Sequence, residues 1–159
     1  MASAEPQSRR ARSARKVAEA RGQTLYVDSS ALLAAILEKD AAAIHTIRSR
    51  THPATSALTL TEANRGIVRS RVSGKLTPER EREALDALQT FEQRCNVLTI
   101  SEQVLVRAGR PFPAEPVRTL DAIHLATLEQ IGGYPRLITV VTRDSRIRKN
   151  AIALGYNVE

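Results

Sequence analysis

The chain has one cysteine and one methionine in 159 residues, no tryptophan, and only 3% aromatic residues. With Cys95 alone an intramolecular disulfide is excluded, and a reducing, cytoplasmic setting is expected. Two Phe and three Tyr leave few platforms for stacking single-stranded bases, so any contact with nucleic acid must lean on arginine. No apolar run approaches the roughly 20 residues that span a bilayer, so a membrane-spanning helix is not expected. The opening MASAEPQSRRARSARKVAEARGQ also lacks the apolar segment of a secretory signal.

What is present suits one globular domain. The length and the 42% hydrophobic fraction can build a single sizeable core, and the 26% charged fraction argues against wholesale disorder. The net charge of +7 is unevenly placed, because residues 1–22 hold six Lys/Arg against two Glu. Residues 1–23 are therefore read as a basic N-terminal extension, either a phosphate-attracting arm or a plain solvated segment, and residues 24–159 as the folded domain.

From Thr24 onward, short apolar runs alternate with helical patterns, as in an α/β fold with a largely parallel sheet. Strands are expected at Thr24 to Val27, Ala54 to Ser56, Asn96 to Ile100, Leu137 to Val141 and Tyr156 to Val158. Helices are expected over Ser30 to Glu38, from Asp40 to Arg50, Leu58 to Val72, Pro78 to Arg94, a short one after Ser101, Leu120 to Ile131, and Ser145 to Leu154. PFPAEP must be loop, since its three prolines deny helix and ladder hydrogen bonds.

Four acids do not belong to solvated faces. Asp28 directly follows the strand LYV, and Asp144 follows LITVVT by one residue. Both thus sit at the carboxyl ends of strands, the edge at which open parallel sheets bind ligands. Either alone could be an ordinary helix cap. Asp121 enters the nearly uncharged segment TLDAIHLATLEQIG, where a carboxylate must be capped, paired or metal-bound. Glu62 lies one turn into the helix of SALTLTEANRG and taken alone reads as a solvated side chain. By contrast Glu79, Glu81, Glu83, Asp86 and Glu92 interleave with Arg80, Arg82 and Arg94 and serve solubility. If the four isolated acids converge, their repulsion requires a cation. Carboxylates without neighbouring Cys or a His pair favour Mg²⁺ or Mn²⁺, which points to phosphodiester hydrolysis.

In this order, YVDSSALLAAIL, ATSALTLTEANRGI, RTLDAIHLATLEQIGG and LITVVTRDSRIRKNAIALGYNV resemble the PIN domain, and most of all the VapC-like ribonuclease toxins of bacterial toxin–antitoxin pairs. The resemblance runs from about Leu25 to Val158. It implies a PIN-like α/β/α sandwich with a central, mainly parallel sheet, and Mg²⁺- or Mn²⁺-dependent endoribonuclease activity. It also implies that Asp28 and Asp121 are direct metal ligands, with Glu62 and Asp144 completing the catalytic cluster directly or through water. Ser30 and Thr142 match positions that often carry a small hydroxyl, able to hold water or phosphate, although each is also a plausible local cap. The partners implied are RNA, a small antitoxin that reaches into the acid cleft, and a second copy in a homodimer.

Arg65, Arg69, Arg71 and Lys75 follow Glu62, while Arg143, Arg146, Arg148 and Lys149 surround Asp144; both groups either hold the RNA backbone or form solvated faces. His124 lies three residues after Asp121 on the same helical face, yet hard-cation sites seldom recruit imidazole, so it is expected to pack and satisfy one hydrogen bond. His45 and His52 lack a ligand-like partner, and Cys95 reads as a small buried hydrophobe. Two other function classes compete. A non-catalytic RNA- or protein-binding module would keep the fold and use the acids only as caps. A phosphohydrolase with Asp28 as nucleophile is disfavoured, because DSS lacks the second Asp expected two residues later.

Overall fold

The computed structural model describes residues 24–49 and 52–159, so the expected N-terminal extension lies outside the described residues. Five parallel strands form one sheet: β1 (Thr24–Val27), β2 (Ala54–Ser56), β3 (Asn96–Leu98), β4 (Ile138–Val141) and β5 (Asn157–Val158), in the order β3-β2-β1-β4-β5. Among the described residues seven α-helices accompany them: α1 (Ser29–Leu37), α2 (Ala41–Arg48), α3 (Ala57–Val72), α4 (Pro78–Arg94), α5 (Glu102–Ala108), α6 (Thr119–Glu129) and α7 (Ser145–Ala153). None of the described helices is long and apolar enough to cross a membrane.

Alternation along the central strand separates two cores, since successive side chains of a strand point to opposite faces. Leu25 and Val27 pack with Val141 against Ile47, Ala63, Ile67, Leu88 and Phe91 of α2, α3 and α4. Tyr26 and Val140 pack on the other face with Val104, Leu125, Leu128, Ile147 and Ala151 of α5, α6 and α7. The helical layers therefore sandwich the sheet, as an α/β/α fold requires. The order in which strands are added reverses across the sheet at β1, which pairs with β2 on one side and β4 on the other, all in parallel. The carboxyl ends of β1 and β4 form the crevice where such sheets place their ligands.

Three strand boundaries differ from the sequence expectation, each for a pairing reason. β3 stops at Leu98 rather than Ile100 because its partner β2 runs only from Ala54 to Ser56 before α3 begins. Leu137 belongs to a 3₁₀ turn opened by Pro135, its N–H bonded to the Tyr134 carbonyl, so β4 starts one residue later. Tyr156 follows Gly155, whose φ of +89° turns the chain out of α7, and its N–H returns to the Ala151 carbonyl instead of the ladder. The PFPAEP segment is loop, as expected, and Asn150 clamps it by accepting from Ala114 N–H at 2.9 Å and donating to its carbonyl at 3.0 Å. Cys95 is half-buried against the first core, and burial pushes its thiol up to about 12.

Gly66 lets α3 approach α1 closely: a Cβ there would lie 2.7 Å and 2.8 Å from the two terminal carbons of Leu33. Alanine would gain about 1 kcal/mol of helix propensity while displacing only the end of a flexible side chain. Gly66→Ala should therefore change the urea midpoint little, whereas Gly66→Leu should cost about 1–3 kcal/mol by forcing the helices apart. Asp40 caps α2 by accepting from Ala43 N–H and takes the Arg143 guanidinium at 2.8 Å, and that hydrogen bond, ahead of the one from Ala43, lowers its carboxyl to about 2. A depressed carboxyl stabilises the fold above its unfolded range and loses that contribution as pH falls through its folded value. Because Asp40→Asn keeps a capping oxygen, its stability deficit in urea melts should be full near neutral pH and should fade as pH falls through about 2.

Candidate active site

Strand β1 delivers Asp28 to the crevice fully buried. One carboxyl oxygen accepts from Ser30 Oγ at 2.8 Å and from Ala31 N–H at 3.0 Å, and the other from Thr142 Oγ1 at 2.7 Å. The cap expected of an acid at this junction is thus present, and Thr142 adds a tie to the end of β4. Burial raises the Asp28 carboxyl despite the bonds from Ala31, Thr142 and Ser30. Asp144 caps α7 with one oxygen, which accepts from Arg146 N–H at 2.7 Å and Ile147 N–H at 3.1 Å.

Asp121 behaves differently. Helix α6 is capped by no side chain, and Asp121 Oδ2 is buried without a hydrogen-bond partner among the described residues. Burial, and next the neighbouring charge of Asp144, raise its carboxyl above the usual range. The capping alternative for this residue therefore does not hold, because no backbone N–H of the first turn of α6 donates to the carboxyl. Glu62 is only partly exposed, contrary to the solvated reading of it taken alone. Its Oε2 accepts from Ser29 Oγ at 2.6 Å and pairs with His124 Nε2 at 2.7 Å. Burial works against ionisation there, but the His124 and Ser29 hydrogen bonds, with the charges of His124 and Arg69, prevail and hold the carboxyl below its usual range.

The four acids are linked electrostatically through shared neighbours: Asp121 feels Asp144, and Asp28, Glu62 and Asp121 all feel His124. Each keeps an oxygen lone pair uncommitted among the described residues, an oxygen-only donor set that suits a hard divalent ion. The orphaned Asp121 Oδ2 is the strongest sign of such a ligand. No three His, Cys, Asp or Glu side chains among the described residues gather closely enough to hold one ion by themselves.

The hydroxyls expected to hold water or phosphate are engaged with protein. Ser30 accepts from Arg143 N–H at 2.8 Å while donating to Asp28, and Thr142 accepts from Asp144 N–H at 3.0 Å. Among the basic residues, Arg143 is drawn to Asp40, Arg71 lies 3.4 Å from Glu81, and Arg148 donates to the Thr142 carbonyl. Arg65 and Arg69 are exposed on α3, and the Arg146 charge acts on Asp121. Ser29 is not among the candidates the sequence offers, although its place beside Asp28 at the strand end is a usable signal. His124 is buried, as expected of a packing histidine, but its hydrogen bond goes to Glu62.

The PIN domain family model matches residues 25–153. Ribonuclease VapC46 of Mycobacterium tuberculosis (strain ATCC 25618 / H37Rv) is 34% identical over 136 residues, which cover 84% of this chain and 95% of that protein. Ribonuclease VapC35 of Mycobacterium tuberculosis (strain CDC 1551 / Oshkosh) is 33% identical over 138 residues, covering 84% and 94%. Among solved structures, DNA-bound VapBC from Salmonella typhimurium superposes with a TM-score of 0.59 at 21% identity, covering 86% of this chain and 96% of that one, and so shares the fold. On the sequence match across most of its length, with the same sheet and helical layers, the chain belongs to the PIN domain family.

Proposed function

We propose that this protein is a divalent-metal-dependent endoribonuclease of the VapC type, a toxin neutralised by a small antitoxin. The observation that carries the reading is the buried, unpartnered oxygen on Asp121, an acid that feels the charge of Asp144 at the start of α7. The relatives named as ribonucleases, at 33–34% identity, support the substrate class. Asp28 and Asp121 would hold Mg²⁺ or Mn²⁺, with Glu62 and Asp144 completing the site directly or through water. Such an ion commonly keeps several waters and takes only one or two carboxylates, so a cluster looser than three direct side-chain ligands suits it. When bound, the ion neutralises the carboxylates, polarises the phosphodiester and activates a water for in-line attack.

The chain's own residues supply the rest. Arg65, Arg69 and Arg146 offer cations beside the acids, where the negative RNA backbone would otherwise be repelled. Arg143 would join them only by leaving Asp40. A homodimer and a cytoplasmic location belong to the same proposal, as does the basic arm at residues 1–23. Capping by Asp28 and Asp144 is the observation that favours the second reading, a non-catalytic RNA- or protein-binding module. Asp121 weighs against it, because it caps nothing.

Incubation of total cellular RNA with the purified protein in Mn²⁺ or Mg²⁺ should yield discrete fragments that EDTA suppresses, and Asp28→Asn or Asp121→Asn should lower the rate at least about 100-fold. Uncut RNA with folded, antitoxin-free protein would favour the binding module. Because the folded Asp121 carboxyl titrates above its unfolded range, its ionisation weakens the fold as pH rises and the cost is present at neutral pH. Asp121→Asn should therefore raise the melting temperature of metal-free protein, and added Mn²⁺ should stabilise the wild type more than this variant. Replacing Arg65 and Arg69 by Ala should weaken RNA binding across sequences and reduce the log–log salt slope by about 0.7 for each phosphate that is no longer neutralised.

A further inference from the structure

His124 sits on one helical layer and Glu62 on the other. Helix α6 packs on the Tyr26 face of the sheet and α3 on the Val27 face, so their side chains can meet only over the carboxyl edge. Among the described residues, the contact of His124 Nε2 with Glu62 Oε2, at 2.7 Å, is the one hydrogen bond joining α3 to α6. The imidazole is 2% exposed, against 25% for the Glu62 side chain, so the histidine is the fixed member of the pair. Tyr26, fully buried, places its hydroxyl 3.4 Å from His124 Nδ1 and 3.5 Å from the His124 carbonyl, closing the ring in from the side opposite Glu62.

We propose that His124 is a positioning residue for the acid cluster: its Nε2–H, together with the Ser29 hydroxyl, holds Glu62 Oε2 and so orients Oε1 toward the site. This rests on the metal-dependent nuclease reading. Both donors converge on the same oxygen, and Oε1 has no partner among the described residues. An acceptor-only carboxylate requires hydrogens on both neighbours, which assigns the Nε2–H form to the imidazole. Asp121 lies three residues earlier on the same face of α6, so one rigid helix presents one acid and orients another that comes from across the sheet. Carboxylates that ligate metals are commonly held in this way, and removing such a support costs about 10–100-fold in metal affinity or activity.

The test reads Mn²⁺ binding to the purified full chain without RNA, by the electron paramagnetic resonance signal of the free ion. His124→Leu should weaken binding about 10–100-fold, and His124→Gln, which retains an N–H at a similar reach, should restore it to within about threefold. In a Glu62→Gln background, His124→Leu should add nothing further. Turnover of RNA should fall with affinity for Mn²⁺ in His124→Leu, while KM for RNA stays unchanged. Wild-type binding by His124→Leu, or an equal loss with Glu62→Gln already present, would overturn the proposal while leaving the nuclease reading intact. Failure of the unsubstituted chain to bind Mn²⁺ would overturn both. If thermal melts show that His124→Leu does not fold, the imidazole ¹⁵N spectrum of the wild type decides: a protonated Nε2 that shifts with Glu62→Gln supports the assignment, and a bare Nε2 overturns it.

Discussion

A carboxylate removed from water must find donors or a cation, and Asp28 finds donors at the end of the central strand. It ends the middle strand, starts α1, and is tied through Thr142 to the end of β4. Those bonds join the two strands on either side of the point where the sheet reverses its winding. The loop after β4 is held by the same arrangement, since Ser30 receives the Arg143 N–H and Thr142 the Asp144 N–H. A change in the charge or length of this side chain would therefore be felt at the start of α1, at the start of α7 and in the crevice between them.

The remaining acids are tolerated around this fixed point in different ways. Asp144 uses two backbone N–H groups at the start of a helix, where the macrodipole also favours negative charge. Glu62 relies on neutral or cationic side-chain donors, Ser29 and His124, reached from two different segments. Asp121 has neither, and remains the least satisfied member. Such an uneven distribution of partners leaves one Asp121 oxygen with its desolvation uncompensated among the described residues. Burial raises the Asp28 carboxyl as well, so its donors offset only part of the cost of its ionisation.

The same constraints explain which parts of the fold are legible in the linear chain. Thr24 to Val27 can be recognised as a strand because it is a short buried run, and Pro78 to Arg94 as a helix because proline opens it and charges line its outer face. Caps at Asp28, Ser101 and Asp144 are local chemistry, settled within three residues of the side chain that provides them. Strand ends are less legible. β3 stops where β2 ceases to offer hydrogen bonds, and nothing in Thr99 or Ile100 announces the length of a partner some forty residues away.

The linear chain alone settles the α/β class and the alternation of its elements, and its local pattern singles out Asp28, Asp121 and Asp144 as candidates, because hydrophobic period, capping and the scarcity of charge near Asp121 are properties of neighbours along the chain. Glu62 enters only through the family resemblance. What each acid does emerges only on folding. Asp28 and Asp144 are caps, Glu62 is gripped across the sheet by His124, and Asp121 keeps one buried oxygen without a donor. Those outcomes depend on which side chains the parallel crossovers bring to one edge, over separations of 62 residues for Glu62 with His124 and 114 for Asp28 with Thr142. Short-range pattern carries no information about such encounters, since hydrogen bonds between distant segments form only once the helical layers have closed over the sheet.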